Sequence, residues 1–144
     1  MRKVLVAVDG SAHAERAVRQ LLAWMAEGNL PADGREIHLL NVQPLLPERL
    51  AHGMTAEALE THYRGHGLTD MAVALRLLGE AGVDYHQHLE RGAPAERILA
   101  CAAAQGCELI IMGSHGVGFV RDVLLGSVAS GVLRDAVVPV LLVR

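Results

Sequence analysis

The chain has 144 residues, 51% of them hydrophobic, which is the usual size of one domain with one core and predicts a single domain over 1–144. Thirteen basic residues against 16 acidic ones give a net charge of -3, without a run of like charges that would follow a phosphate backbone or an anionic membrane surface. Nucleic acid and membranes are therefore excluded as expected partners. The longest apolar runs, such as 137–143, are too short to span a bilayer, and the sequence opens without a charged and apolar leader. A cytoplasmic protein is expected. Cys101 and Cys107 lack zinc-ligand spacing and are too few for a disulfide framework, so they read as buried thiols.

Lys3 to Val8 is an apolar, β-branched run that stops at Asp9-Gly10-Ser11, where Ser11 can cap a following helix. Ala14, Ala17, Val18, Leu21, Leu22 and Met25 then recur at helical spacing, and Gly28 marks the end. Glu36 to Val42 is a second strand, and Pro44 to Gly53 reads as loop. Thr55 to Leu78 is helical, with Leu68, Met71, Ala72, Leu75 and Leu78 on one face. Two close glycines in Gly65-His66-Gly67 cost about 2 kcal/mol relative to alanines and predict a break or kink there.

Val83 to Glu90 alternates Val83, Tyr85, Gln87 and Leu89 with Asp84, His86, His88 and Glu90, the pattern of a strand with one wet face at a sheet edge. Pro94 suits a first helical turn and Gly106 a helix stop. Leu109 to Met112 is a fourth strand, apolar on both faces. Ser127 to Asp135 is a short last helix, and Val137 to Val143 a fifth strand carrying Pro139. Strands alternating with helices predict a Rossmann-like, doubly wound α/β fold: a five-stranded parallel sheet with helices on both faces. Such sheets bind ligands outside the carboxyl ends of their strands, where strand order reverses. Asp9, Val42 and the segment from Gly113 onward are the candidates.

Gly113-Ser114-His115-Gly116 leaves the fourth strand at that edge, and after nine more residues Gly126-Ser127 opens the last helix. Glycines allow backbone to approach a ligand closely, and a helix N-terminus directs free N–H groups and a positive dipole end at phosphate oxygens. Ser127 adds a hydroxyl donor, and Ser130, one turn on, can add another. The blander alternative is a plain turn with Ser127 as a helix cap; the grouping at the ligand edge favours phosphate binding. Neither a Gly-Lys-Ser/Thr phosphate loop nor the dinucleotide fingerprint is present.

Gly113, Gly116, Gly126 and Ser127 together resemble the signature of the ATP-binding branch of the universal stress protein family: glycine, two residues, glycine, nine residues, glycine, then serine or threonine. Val8-Asp9-Gly10-Ser11, the second strand ending at Val42, and Pro139 to Val143 are similar to that family too, so the resemblance covers the whole chain. It implies a fold like that of adenine nucleotide α-hydrolases. It also implies a stress-response regulator that binds ATP, with or without Mg2+, and hydrolyses it slowly at most. Asp9 and the backbone of Val42 would hold the adenosine, and the signature residues with Val128 the ribose and phosphates. Many relatives carry a cation directly after the second signature glycine, where this chain has Val117 and its nearest cation is Arg121. Weaker phosphate affinity follows from that difference.

Asp9 can equally serve only to turn the chain, and His115 either reaches a phosphate or faces solvent. His62 with His66, and His86 with His88, could in principle hold a metal, but solvated surface is the expectation and no metal site is assigned. Trp24 and Phe119 read as packing or cover residues. Two rival functions stay open, an enzyme acting at the α-phosphate through Asp9 and His115, and a nucleotide-free dimeric scaffold. The apolar fifth strand at a sheet margin predicts a homodimer formed by antiparallel pairing of that strand, as the resemblance also implies.

Overall fold

The structure, a computed structural model, describes residues 2–30 and 34–144. Five strands, β1 (Lys3–Ala7), β2 (Glu36–Gln43), β3 (Tyr85–Arg91), β4 (Leu109–Gly113) and β5 (Val140–Val143), form one sheet in the order β3-β2-β1-β4-β5. Every neighbouring pair is parallel. The chain first builds outward from β1 to β2 and β3, then crosses back to place β4 on the other side of β1. Strand order therefore reverses between β1 and β4.

Strand side chains alternate between two cores, as a period of two requires. Val4, Val6, Ile37, Leu39 and Ile111 face α1 (Ala12–Ala26) and α3 (Ala56–Glu80), while Leu5, Leu40, Ile110 and Met112 face α4 (Pro94–Gln105) and α5 (Ser127–Asp135). Two helices on each face make this the expected doubly wound sheet. Ser11 caps α1 by accepting from the Ala14 N–H at 3.1 Å, and Thr55 caps α3 by accepting from Ala58 at 3.0 Å. Gly106 closes α4 in the left-handed conformation at φ 67°. Cys101, on α4, and Cys107, just after it, are buried in the core on that face, and burial pushes both thiols up to about 11.

Three expectations need correction. α3 runs unbroken for 25 residues through Gly65 and Gly67. A Cβ at Gly67 would lie 2.8 Å from Leu89 Cδ2 and 3.2 Å from Asn41 Oδ1, so the glycine lets the helix lie close on β2 and β3, and that packing offsets its poor helix propensity. The helix also buries Gly67, Met71, Ala74, Leu77 and Leu78, leaving Ala72 exposed. The 44–53 stretch is not wholly loop, because Glu48–Ala51 forms a one-turn helix, α2. Finally, β5 begins only at Val140; Val137 is 95% exposed, and Pro139 joins the ladder solely as an acceptor, from the Ile110 N–H. Among the described residues, no helix is long and apolar enough to cross a membrane.

Candidate functional site

A cleft of about 520 Å³ opens at the carboxyl ends of β1 and β4, at the point where strand order reverses. Leu40, Ile98, Met112 and Ala129 give it an apolar floor, and Val42 and Pro44 line it beside them. A flat aromatic group fits such a surface. Of the residues singled out from the sequence, Asp9, Val42, Gly113, His115, Gly116, Gly126, Ser127 and Val128 all line this cleft. Ser130 does not; it is exposed one turn along α5, with its N–H on the Gly126 carbonyl.

The glycine loop is drawn shut at its neck. Ser114 is buried, its N–H donates to the Val143 carbonyl at 2.8 Å, and its own carbonyl accepts from Gly126 N–H at 2.8 Å. Gly113 to Gly116 thus lie directly against the start of α5. That helix has Gly126 at its N-cap and no side chain caps it, so Ser127 stands inside the first turn rather than capping it. The first-turn N–H groups of α5 are consequently the donors that this end of the cleft offers an anion.

Asp9 takes both roles that a carboxylate with two oxygens permits. Oδ1 accepts from Ser11 N–H at 3.0 Å, which is the turn-forming role, and Oδ2 accepts from Val117 N–H at 3.2 Å, across 108 residues of chain. His115 neither faces solvent freely nor points an unused nitrogen into the cleft. Its Nε2 lies 2.6 Å from the Val123 carbonyl, which can only accept, so Nε2 carries the proton and Nδ1 accepts from the Ser114 hydroxyl at 2.9 Å. The imidazole is a brace inside the loop. Phe119 packs its ring against those of His115 and His13, with centroids 4.6 and 4.8 Å away, and also lines the cleft.

The sequence reading missed a polar chain that ends at the cleft. Asn41, buried in β2, donates to the Val8 carbonyl at 2.9 Å, and Gln43 donates both to Asn41 Oδ1 at 2.9 Å and to Asp70 Oδ2 at 2.8 Å. Asp70, on α3, joins Asp9 as a charged residue of the lining, which contains no lysine or arginine among the described residues. Only a polar residue inside the strand pattern at Asn41 hinted at such a network.

His13, at the start of α1, is buried beside this loop, and its pKa lies below the ordinary 6.5 because burial disfavours the charged ring; Arg16 and His115 add to the shift and Asp9 opposes it. The unfolded chain therefore takes up a proton near pH 6.5 that the folded chain resists. His13's contribution to stability is complete above 6.5 and is lost as pH falls toward its depressed folded value. Thermal melts from pH 8 to pH 5 should show a decline that starts near pH 6.5 and is shallower in His13→Gln. Equal pH slopes in the two proteins would contradict this.

The universal stress protein family model matches residues 1–144. A universal stress protein of Thermus aquaticus is 34% identical over 143 residues, covering 99% of this chain and 98% of its own. Among solved structures, the MJ0577 protein of Methanocaldococcus jannaschii superposes with a TM-score of 0.74 at 28% identity, covering 99% of this chain and 94% of that one. A universal stress protein family member from Arabidopsis thaliana with AMP bound superposes with a TM-score of 0.66 at 20% identity, covering 99% and 91%. On the match over its whole length and on these relatives, the chain belongs to the universal stress protein family.

Proposed function

We propose that the cleft binds an adenine nucleotide, ATP in the first place, and that the protein is a cytoplasmic stress-response regulator whose state follows nucleotide occupancy. The observation that carries this reading is the convergence of Gly113, Gly116, Gly126 and the uncapped first turn of α5 on one cleft with an apolar floor. The AMP-bound fold relative supports the choice of adenine. The base lies on the apolar floor, Asp9 and the Val42 backbone hold the adenosine, and Gly113, Gly116, Gly126, Ser127 and Val128 hold ribose and phosphates. His115 contributes as the brace of that loop, and Ser130 is left out of the ligand set. The lining offers a triphosphate backbone dipoles and two carboxylates but no cationic side chain. A divalent ion such as Mg2+ accompanying the phosphates would supply the missing charge.

Hydrolysis is slow at most on this reading. Both oxygens of Asp9 and both nitrogens of His115 already have partners, in the turn after β1 and in the glycine loop, which leaves neither as a ready acid or base. Denaturing the purified protein and identifying any released nucleotide by mass tests the binding, and a turnover assay tests the hydrolysis. Asp9→Asn keeps one acceptor oxygen of two and should weaken ATP binding about tenfold, the worth of one hydrogen bond, with an unaltered melt. Equal affinity would assign Asp9 to the turn alone.

The same proposal includes a homodimer through β5, an edge strand of four apolar residues. Pro139 and Val143 turn their carbonyls toward β4, so by strand alternation Val140 and Leu142 present their backbone groups outward. Leu142→Pro removes one outward donor and trims a side chain packed beside the α4/α5 core, whereas proline at Leu141, which packs beside the α1/α3 core, would remove a donor turned to β4 and disturb the sheet itself. Light scattering should give twice the chain mass for the parent and a shift to monomer for Leu142→Pro. A monomeric parent would defeat the dimer.

A further inference from the structure

A second cluster of chemistry-bearing side chains lies at the other end of the sheet, where β2 and β3 begin. Glu36 and His38 are two apart on β2 and so share a face, and the parallel register sets His86 of β3 directly beside His38. The sequence reading paired His86 with His88 along their own strand and left both to solvent. Across the strands the picture changes. Glu36, His38 and His86 each offer one ligand atom, and these atoms all lie within 4.8 Å of one another.

We propose that Glu36, His38 and His86 form a binding site for a borderline divalent cation of the Zn2+ class, separate from the nucleotide cleft. Two imidazoles and a carboxylate are a donor set that suits Zn2+. Tetrahedral bonds of 2.0–2.1 Å place neighbouring ligand atoms about 3.3 Å apart. Glu36 Oε1 lies 2.7 Å from His38 Nε2 and 3.7 Å from His86 Nε2, distances that bracket that separation. Three protein ligands leave a fourth position for water.

The surroundings orient the ligands as metal sites require. His38 is buried and turns Nε2 to Glu36, while its Nδ1 lies 2.8 Å from His88 Nε2. With a cation on Nε2, the Nδ1 proton donates to His88, which is the hydrogen bond that fixes tautomer and ring direction in a metal-bound histidine. His88 is a positioning residue. The other oxygen of Glu36, Oε2, faces Lys3 Nζ at 3.9 Å, which holds the carboxylate and leaves Oε1 toward the histidines. His86 is 61% exposed on the edge strand, so the cation has an open approach, and the ring has room to turn its nitrogen inward.

The test uses the full chain, freed of metal with a chelator and without nucleotide, titrated with Zn2+ by calorimetry and with Co2+ by visible absorption. One equivalent should bind, and Co2+ should show the intense bands of a four-coordinate ion. Because replacing the buried His38 would test the fold as well, the primary variants are His86→Ala and Glu36→Gln, each expected to weaken Zn2+ by at least about tenfold while the melt of the metal-free protein is kept. His88→Gln, which still offers an acceptor to Nδ1–H, should retain more affinity than His88→Leu. His62→Ala, in the other histidine pair on α3, should bind as the parent does. Absence of one-equivalent binding, parental affinity in His86→Ala, or loss of binding in His62→Ala would overturn the proposal.

Discussion

Gly113→Ala is expected to cost the fold about 3 kcal/mol or more, the upper range for forcing extra atoms into a packed interior. A Cβ at this position would stand 2.7 Å from His13 Cβ, 2.8 Å from the His13 carbonyl carbon and 2.9 Å from Ala14 N. Two of those three atoms are backbone of the first turn of α1, which Ser11 caps and whose Ala14 and Ala17 are buried in the core. The helix cannot retreat without opening that core. Urea unfolding should show the midpoint fall sharply with an unchanged slope, and a midpoint equal to that of the parent would mean that the α1 and β4 contact gives way easily.

Gly116→Val, three residues on, is expected to lose nucleotide binding by roughly a hundredfold or more while unfolding within about 1 kcal/mol of the parent, because the site is peripheral. Here the obstacle is a side chain: a Cβ would meet Asp9 Oδ2 at 2.6 Å, with Asp9 Cγ next at 3.8 Å. The carboxylate can swing aside, which spares the fold. It then releases Val117 N–H, and the valine methyls fill the approach to the loop. An ATP titration that finds parental affinity in a folded Gly116→Val protein would remove the loop from the site. Two glycines of one short motif are thus glycine for different reasons, one for packing and one for access.

That difference shows how far a sequence can be read. The alternation of strands and helices, the end signals at Ser11 and Gly106, and the edge position of β3 were all legible, because each depends on local pattern or on the handedness of crossovers. The expected break in α3 failed because propensity is local, whereas the reason for Gly67 is Leu89 and Asn41 on strands that only the fold brings beneath it. In the site, the glycines and Asp9 were legible from their place after β1 and β4. Asp70 was not, since it sits on a helix more than sixty residues from Asp9 and only the packing of α3 on the sheet brings it to the cleft, where Gln43 bonds its carboxylate. His115 was open to two readings, and its actual partners, Ser114 and Val123, flank it within its own loop. The Glu36, His38 and His86 cluster needs the β2–β3 register, which no spacing along the chain reveals.

The central claim is that the glycine loop and the start of α5 receive the phosphates of an adenine nucleotide through backbone N–H groups. Amide hydrogen exchange resolved by residue, with and without saturating ATP and Mg2+, tests it most directly. Protection on binding should concentrate at the amides of His115 and Gly116, since those of Ser114 and Val117 already have partners, and at the first turn of α5, 127–129, with the 36–38 and 86–88 segments unchanged. A bound nucleotide that left the amides of His115, Gly116 and 127–129 exchanging as in the free protein would contradict the account.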